Sequence, residues 1–293
     1  MLKKLIAIFF ILPCFLFSED RIESIKNKEK IDNIIYFKGE KLPFSGKFID
    51  THLEEEYKNG IREGYYKNII EIDGEKYICE GRFEDGLKHG EWIIKFSEGK
   101  PKAILKYYYD RPIGEWKYFY LNGEIMEIEK FVDGELDGEV VEFNLKGNPK
   151  MRMNFEEGLL NKEFIAYHLN GKISTLANFK FGKLNGELKL FTTQGVKVVD
   201  GYYKLNEREG EWRFFYNTGE LKSIVNYKNG KRDGKSIIYG KGGEILQDLN
   251  FKEGLDSDGS QEYKNYGDKI LKGFERFTED LEYKKYDKIL DEI

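Results

Sequence analysis

The sequence predicts an all-β fold in which tandem 24-residue β-hairpin repeats form an elongated, twisted antiparallel sheet. Three observations carry that prediction. The 293-residue chain repeats itself, with units starting at Gly90, Gly114, Gly138, Lys162, Gly186, Gly210 and Gly234, each 24 residues after the last. A fixed period of this length marks a repeat architecture. The tenth position of every unit is glycine: Gly99, Gly123, Gly147, Gly171, Gly195, Gly219 and Gly243. Finally, an aromatic ring stands at one fixed offset throughout, as Tyr107, Phe131, Phe155, Phe179, Tyr203, Tyr227 and Phe251.

The glycine columns set the turns. Asn122-Gly123 and Asn170-Gly171 read as two-residue hairpin turns, which need positive φ and so favour glycine. A second turn lies three residues beyond each ring, at Gly134, Gly158, Gly182, Gly230 and Gly254, with Asp110 and Asn206 in the remaining units. Asp and Asn are the residues after glycine that best tolerate the left-handed region, so the backbone requirement survives the exchange.

The aromatic column reads as a buried ladder. Its companions on the first strand of each unit are Trp92, Trp116, Val140, Phe164, Leu188 and Trp212, followed three residues on by Phe119, Phe143, Tyr167, Phe191, Phe215 and Tyr239. Burying one such ring contributes roughly 1.5 to 3 kcal/mol, too little for a lone hairpin to outweigh its ordering entropy, so the units must stack. Trp92 and Trp116 are expected to stack on one another across adjacent repeats.

The rhythm G-x-W-x-x-Y/F, N-G, Y/F-x-N/D-G-x-x-x-G, complete in the stretch Gly210–Asp233, resembles the bacterial variant of the membrane occupation and recognition nexus (MORN) repeat. The resemblance covers roughly Tyr36 to Gly259, with Lys162 for glycine and Ser236 for tryptophan as departures. It implies a scaffold, an adaptor or an antitoxin-like binder. MORN repeats also stand beside a catalytic domain in some lipid phosphate kinases. Here no Val-Ala-Ile-Lys strand, His-Arg-Asp loop or Asp-Phe-Gly segment is present, and the repeats leave no stretch long enough for a kinase domain.

Four segments follow. Residues 1–18, with Lys3 and Lys4 before the apolar run Leu5 to Phe17 and no acid, read as a secretory signal peptide cleaved before Glu19. A lipid anchor at Cys14 is disfavoured by Pro13, and the run is short for a membrane span of about 20 apolar residues. Residues 19–35 read as a linker or N-terminal cap. The repeat array occupies 36–259, opening with the fragment Tyr36-Phe37-Lys38-Gly39-Glu40, irregular to 89 and regular from 90. Residues 260–293 read as a C-terminal cap: Glu275 falls where the ladder needs a ring, and Phe274, Phe277, Leu281 and Ile289 are compatible with one helical face that would cover the open sheet edge.

Charge and cysteine content narrow the function classes. Loss of Lys3 and Lys4 takes the formal net charge from -5 to -7. Basic and acidic residues alternate in the turns, which argues against a nucleic-acid groove and disfavours a lipid-binding patch. Only Cys79 remains after cleavage, so no intramolecular disulfide is expected, and its apolar neighbours Tyr77, Ile78 and Phe83 suit a buried strand thiol. His52, His89 and His168 lie far apart with no paired ligand spacing and read as strand or turn residues rather than a zinc site. Gly240-Lys241-Gly242-Gly243 sits in a hairpin turn with no helix to follow, unlike a phosphate cradle. Asp256-Ser257-Asp258-Gly259 with Glu262 is short of a full calcium loop and reads as a plain turn.

No catalytic, cofactor-binding or metal site is therefore expected, and the chain reads as a non-enzyme. The leading expectation is an exported binding or scaffold protein that meets a host or envelope protein surface. An antitoxin-like immunity protein that blocks a toxin is the alternative, and a carbohydrate-binding protein the third reading. Glycine and aromatic columns repeat because each unit must turn and stack, whereas Arg213, Lys117, Glu142 and Lys189 differ from unit to unit. Recognition is expected in such variable positions, spread over several units.

Overall fold

The computed structural model describes residues 21–256 together with Leu271, Lys272, Phe274 and Glu275. Residues 1–18, expected to be a signal peptide, lie outside the described residues, as do Phe277, Leu281 and Ile289 of the expected cap. From Gly46–Ile49 to Leu255–Asp256 the strands pair antiparallel in chain order as one continuous sheet of consecutive hairpins. Ile22–Ser24 lies parallel on the Gly46–Ile49 edge. The segment before the array is thus built structure: Lys28–Ile31 and Ile34–Phe37 form a separate two-stranded ribbon, and the array's own ladder begins at Gly46 rather than at Tyr36.

The first turn of each unit differs from the two-residue turn that its Asn-Gly pairs suggest. The Gly123 N–H donates to Tyr120 C=O, and the Tyr120 N–H donates to Glu124 C=O, each at 2.9 Å. Gly123 alone takes positive φ, at +92°. This is a three-residue loop, a type I turn closed by a left-handed glycine that forms a bulge. Asparagine is used for its side chain. Asn170 Oδ1 accepts from the Lys172 N–H at 3.1 Å while its Nδ2 donates to Thr193 C=O at 2.7 Å, tying one unit's turn to the next.

The second turn is the two-residue one. Asp133 and Gly134 take φ of +49° and +97° between the paired residues Val132 and Glu135. The two non-glycine units keep this backbone, with Asp110 at +63° and Asn206 at +72°. They also add a bond that glycine cannot make: Asp110 Oδ1 accepts from the Lys88 N–H and Asn206 Oδ1 from the Leu184 N–H, each at 2.7 Å.

The residue that opens each unit bends its strand. Arg62 and Tyr66 flank Gly64, and a straight strand would hold their Cα atoms about 13 Å apart. The Arg62 guanidinium nevertheless lies 5.4 Å from the Tyr66 ring centroid, because the chain turns at Gly64, φ +99°. Further along, Asp233, Gly234 and Lys235 all face the single Asn226, a bulge that sharpens the bend. Lys162 keeps the left-handed geometry in place of glycine, φ +63°, opposite Phe179. Ser236 stands buried in the tryptophan position, its Oγ with no partner among the described residues.

The core lies on one face of the sheet. Tyr107, Phe155, Phe179, Tyr203, Tyr227 and Phe251 of the ladder are buried and Phe131 half-buried. Trp92, Trp116 and Trp212 are buried beside them. The expected Trp92–Trp116 stack is interrupted by a ladder residue: Tyr107 stands between the indoles, its centroid 6.4 Å from Trp92 and 5.1 Å from Trp116. The Trp92 and Trp212 indoles lie flat on Gly81 and Gly201, where a Cβ would fall inside the ring. Leu271 and Phe274, both helical, are buried in the cluster that runs from Leu136 to Tyr227.

Candidate functional site on the charged face

The aromatic face is occupied by the protein itself. Two residues before each opening position stands a column reading Arg62, Lys88, Pro112, Leu136, Leu160, Leu184, Arg208 and Arg232. Its cations lie over the ladder rings: Arg62 over Phe83 at 5.0 Å, Lys88 over Tyr107 at 5.3 Å, and Arg208 over Tyr227 and Arg232 over Phe251, both at 5.4 Å. Where the column turns to leucine, Leu136 and Leu184 share a buried cluster with Leu271 and Phe274. A guanidinium or ammonium covers the ring with its charged head and stem, and leucine covers it with an apolar side chain.

An ion pair fastens each cap. Glu55, only 1% exposed, accepts from Lys28 of the N-terminal ribbon, from Arg62 Nη2 at 2.8 Å and from Tyr57 Oη at 3.0 Å. Burial alone would push its pKa up, but the Lys28 bond and the charges of Lys28 and Arg62 prevail and hold it below the ordinary carboxylate value. Inside the array, both Glu275 oxygens accept from Arg208 Nη2, at 3.0 and 3.2 Å, and the Tyr203 hydroxyl donates to Glu275 at 2.6 Å. Burial and the Glu275 bond both push the Tyr203 hydroxyl pKa up. A cleft beside this lock is lined by Phe179, Leu184, Asn206, Glu207, Arg208 and Glu275.

The opposite face carries rows of ion pairs: Lys67–Glu80, Lys117–Glu115 at 2.9 Å, Arg152–Glu139 at 3.0 Å, Lys189–Glu187 at 2.6 Å and Arg213–Glu211 at 2.7 Å. Phe119, Phe143, Tyr167, Phe191, Phe215 and Tyr239 are half-buried, and Phe215 alternates with the buried Phe214, which places it on the charged face. Lys197 lies over the Phe215 ring at 5.2 Å. Three of the four variable positions singled out in the sequence, Lys117, Lys189 and Arg213, lie here. Glu142 does not, since it shares the face of Val140 two residues earlier and is half-buried.

The remaining candidates are held in structural roles. His168 Nε2 bonds Phe191 C=O at 2.9 Å, joining two units as the Tyr120 and Tyr216 hydroxyls do at Phe143 and Tyr239. Cys79 is buried, and burial pushes its thiol pKa up to about 12, far from a reactive thiolate. Gly240–Gly243 forms a first turn like the others. Among the described residues no group of three His, Cys, Asp or Glu side chains is placed to hold a metal, and no helix is long and apolar enough to cross a membrane. The 257–262 part of the expected calcium-loop fragment lies outside the described residues.

Comparison with known proteins bears on the hairpin units. The family model described as MORN repeat variant matches residues 112–133 and 208–229. Two units of the array thus carry the MORN repeat variant pattern. Both matched MORN segments span the opening-residue bend, the first turn and the returning strand with its ladder ring, Phe131 or Tyr227. No curated protein matches the chain. Among solved structures, a porin-like protein from Bacteroides uniformis ATCC 8492 is similar at 9% identity over 78% of this chain and 91% of that one, with a TM-score of 0.21. That likeness is too slight to bear on fold or function.

Proposed function

We propose that this MORN-repeat chain is an exported, non-catalytic binding or scaffold protein whose charged face holds an extended surface of another protein. The observation that supports the reading is the division of labour between the faces. Ladder, tryptophans, column cations and caps consume the aromatic face, whereas the charged face carries exposed pairs whose acids, Glu115, Glu187 and Glu211, recur at one offset and whose partner column changes from unit to unit, from Lys117, Lys189 and Arg213 to Val141 and Ile165. Exposed pairs contribute about 0 to 1 kcal/mol each, so the fold does not depend on them. Such rows suit a broad protein surface better than a small substrate, which needs an enclosing concavity. Export rests on Lys3, Lys4 and the apolar run that follows.

The test compares the full chain with one lacking Gly138–Asn161 in capture from envelope and host-surface extracts, followed by binding measurements with the captured protein purified. The shortened array should fold and bind more weakly, because one row of contacts is lost and the rest are mis-spaced. A purified chain that turns over a lipid or glycan with no protein partner would overturn the proposal, and capture of a toxin would favour the immunity reading. The mature N-terminus should begin near Glu19 by mass spectrometry, and intact Met1 on soluble cytoplasmic protein would contradict export.

A further inference from the structure

The first position of the second turn has positive φ in every unit; Asp85, Asp133 and Asn229 suit it, and Glu157 and Glu253 also stand there. Tyr109, Phe181 and Leu205 take the same geometry, φ +48° to +51°, although a bulky side chain is disfavoured there. The turn itself makes no use of a large side chain, since its bonds are those of the backbone and of the second position. Strain of this kind points to a role outside the fold.

Tyr109 differs from the other two in its surroundings. Its ring centroid lies 4.8 Å from that of Tyr108 and 4.8 Å from that of His89, and His89 lies 5.3 Å from Tyr108. Glu84 completes the group: one oxygen accepts from the Tyr109 hydroxyl at 3.0 Å, and the other lies 3.4 Å from His89 Nε2. Tyr108 is 55% exposed, unlike the buried rings of the ladder. The nearby Lys88 is turned away, onto the rings of Trp92 and Tyr107. The Glu84 bond first, with burial and the charge of Asp85, raises the Tyr109 hydroxyl pKa, a sign of the negative potential there. Three rings packed on one another, with two of the contacts edge to face, stand beside a carboxylate at the surface, and the ring faces left open together with that charge attract an organic cation.

We propose that His89, Tyr108, Tyr109 and Glu84 form a surface site for the ammonium or guanidinium group of a lysine or arginine side chain, and so an anchor point for the protein partner. The identity of the carrier rests on the scaffold reading; recognition of the cation does not. The site lies where the turn edges of two successive units meet, Glu84 and His89 before Gly90 and Tyr108 and Tyr109 after it, and adds to the rows of the charged face.

The test titrates the full chain with Nα-acetyl-arginine amide and Nα-acetyl-lysine amide, with Nα-acetyl-norleucine amide as the uncharged control, and follows the imidazole proton resonances. The chain has three histidines, so His52 and His168 serve as internal references. The expected result is a saturable shift of His89 with one or both cationic probes only. It should be lost in Tyr109→Asn, whose melting temperature should equal or exceed that of the parent because asparagine relieves the left-handed strain, and weakened at least tenfold in Glu84→Gln. Equal shifts with the norleucine amide, no saturable shift with either cation, or unchanged binding in both variants would overturn the proposal. If Tyr109→Asn fails to fold, Glu84→Gln decides. Loss of partner capture with cation binding intact would count against the scaffold reading alone.

Discussion

The array is tied to its two flanking segments by the same kind of lock with its charges exchanged. At the N-terminal end the array supplies the acid, Glu55, and the preceding ribbon supplies Lys28; inside the array, with the strands Leu221–Lys228 to Leu255–Asp256 still beyond it, Arg208 is the array's part and Glu275 of the following segment the other. A tyrosine of the ladder donates to the acid in both, Tyr57 at 3.0 Å and Tyr203 at 2.6 Å. The fold therefore requires a neutralised charge beside the ladder rings rather than a particular residue. The locks differ in depth: the Glu55 side chain is 2% exposed and holds two cations, whereas that of Glu275 is 29% exposed. Desolvation sharpens both the gain from pairing and the penalty for breaking it, so the N-terminal lock should be the more sensitive.

The largest effects test that depth. Glu55→Ala should cost about 3 to 5 kcal/mol in urea unfolding, since it leaves Lys28 and Arg62 uncompensated beside the core. Trp116→Ala should fall in a similar range, about 3 to 5 kcal/mol, through the cavity it leaves against Tyr107 and Phe131. Glu55 should also shape the acid limb of stability. Its folded-state pKa is depressed, so its contribution is present above the unfolded value of about 4.3 and is lost as pH falls through the folded one. Glu55→Gln should flatten that part of the pH profile in thermal melts, and an unchanged profile would mean that the Glu55 pKa is the same in the folded and unfolded states.

The shallower lock should respond less. Arg208→Met keeps an apolar stem over Trp212 and Tyr227 but strands Glu275, and should cost about 1.5 to 3 kcal/mol, the worth of bonds to a charged group. Hydrogen exchange should show the loss concentrated at Leu271 and Phe274 and at the units from Leu136 to Tyr227, leaving Glu55 and its neighbours protected. Equal destabilisation by Arg208→Met and Glu55→Ala would remove the distinction between the locks. Smallest of all, Glu211→Gln beside Arg213 should stay within about 0.5 kcal/mol of the parent.

Much of the fold was legible in the sequence because the constraints that repeat are backbone constraints. Positive φ at Gly123, Gly134, Asp110 and Asn206 could be read from residue type alone, and ladder burial from the fixed offset of the rings. The first-turn type was not legible, because Asn-Gly serves both a two-residue turn and a type I turn with a bulge, and only the second lets Asn170 reach Thr193 of the next unit. The locks were missed because their partners are 27 and 67 residues apart. A signal was present nonetheless. Two residues before the ladder ring the column reads Glu55, Gly81, Leu105, Glu129, Met153, Ala177, Gly201 and Val225, and the acids break an otherwise uncharged series. Both are buried and both accept from a tyrosine, Glu129 from Tyr118 at 3.2 Å. Glu275 likewise announced itself as an acid where a ring belongs.

The central claim is that the aromatic face holds the fold and the charged face holds the partner. The most direct measurement is a triple charge reversal on the charged face, Lys117→Glu, Lys189→Glu and Arg213→Glu, with thermal melting and partner capture read on the same preparation. The melting curve should stay close to that of the parent while capture falls at least tenfold. Retained capture together with a collapsed melting curve would contradict the account, since it would place stability, and not recognition, on that face.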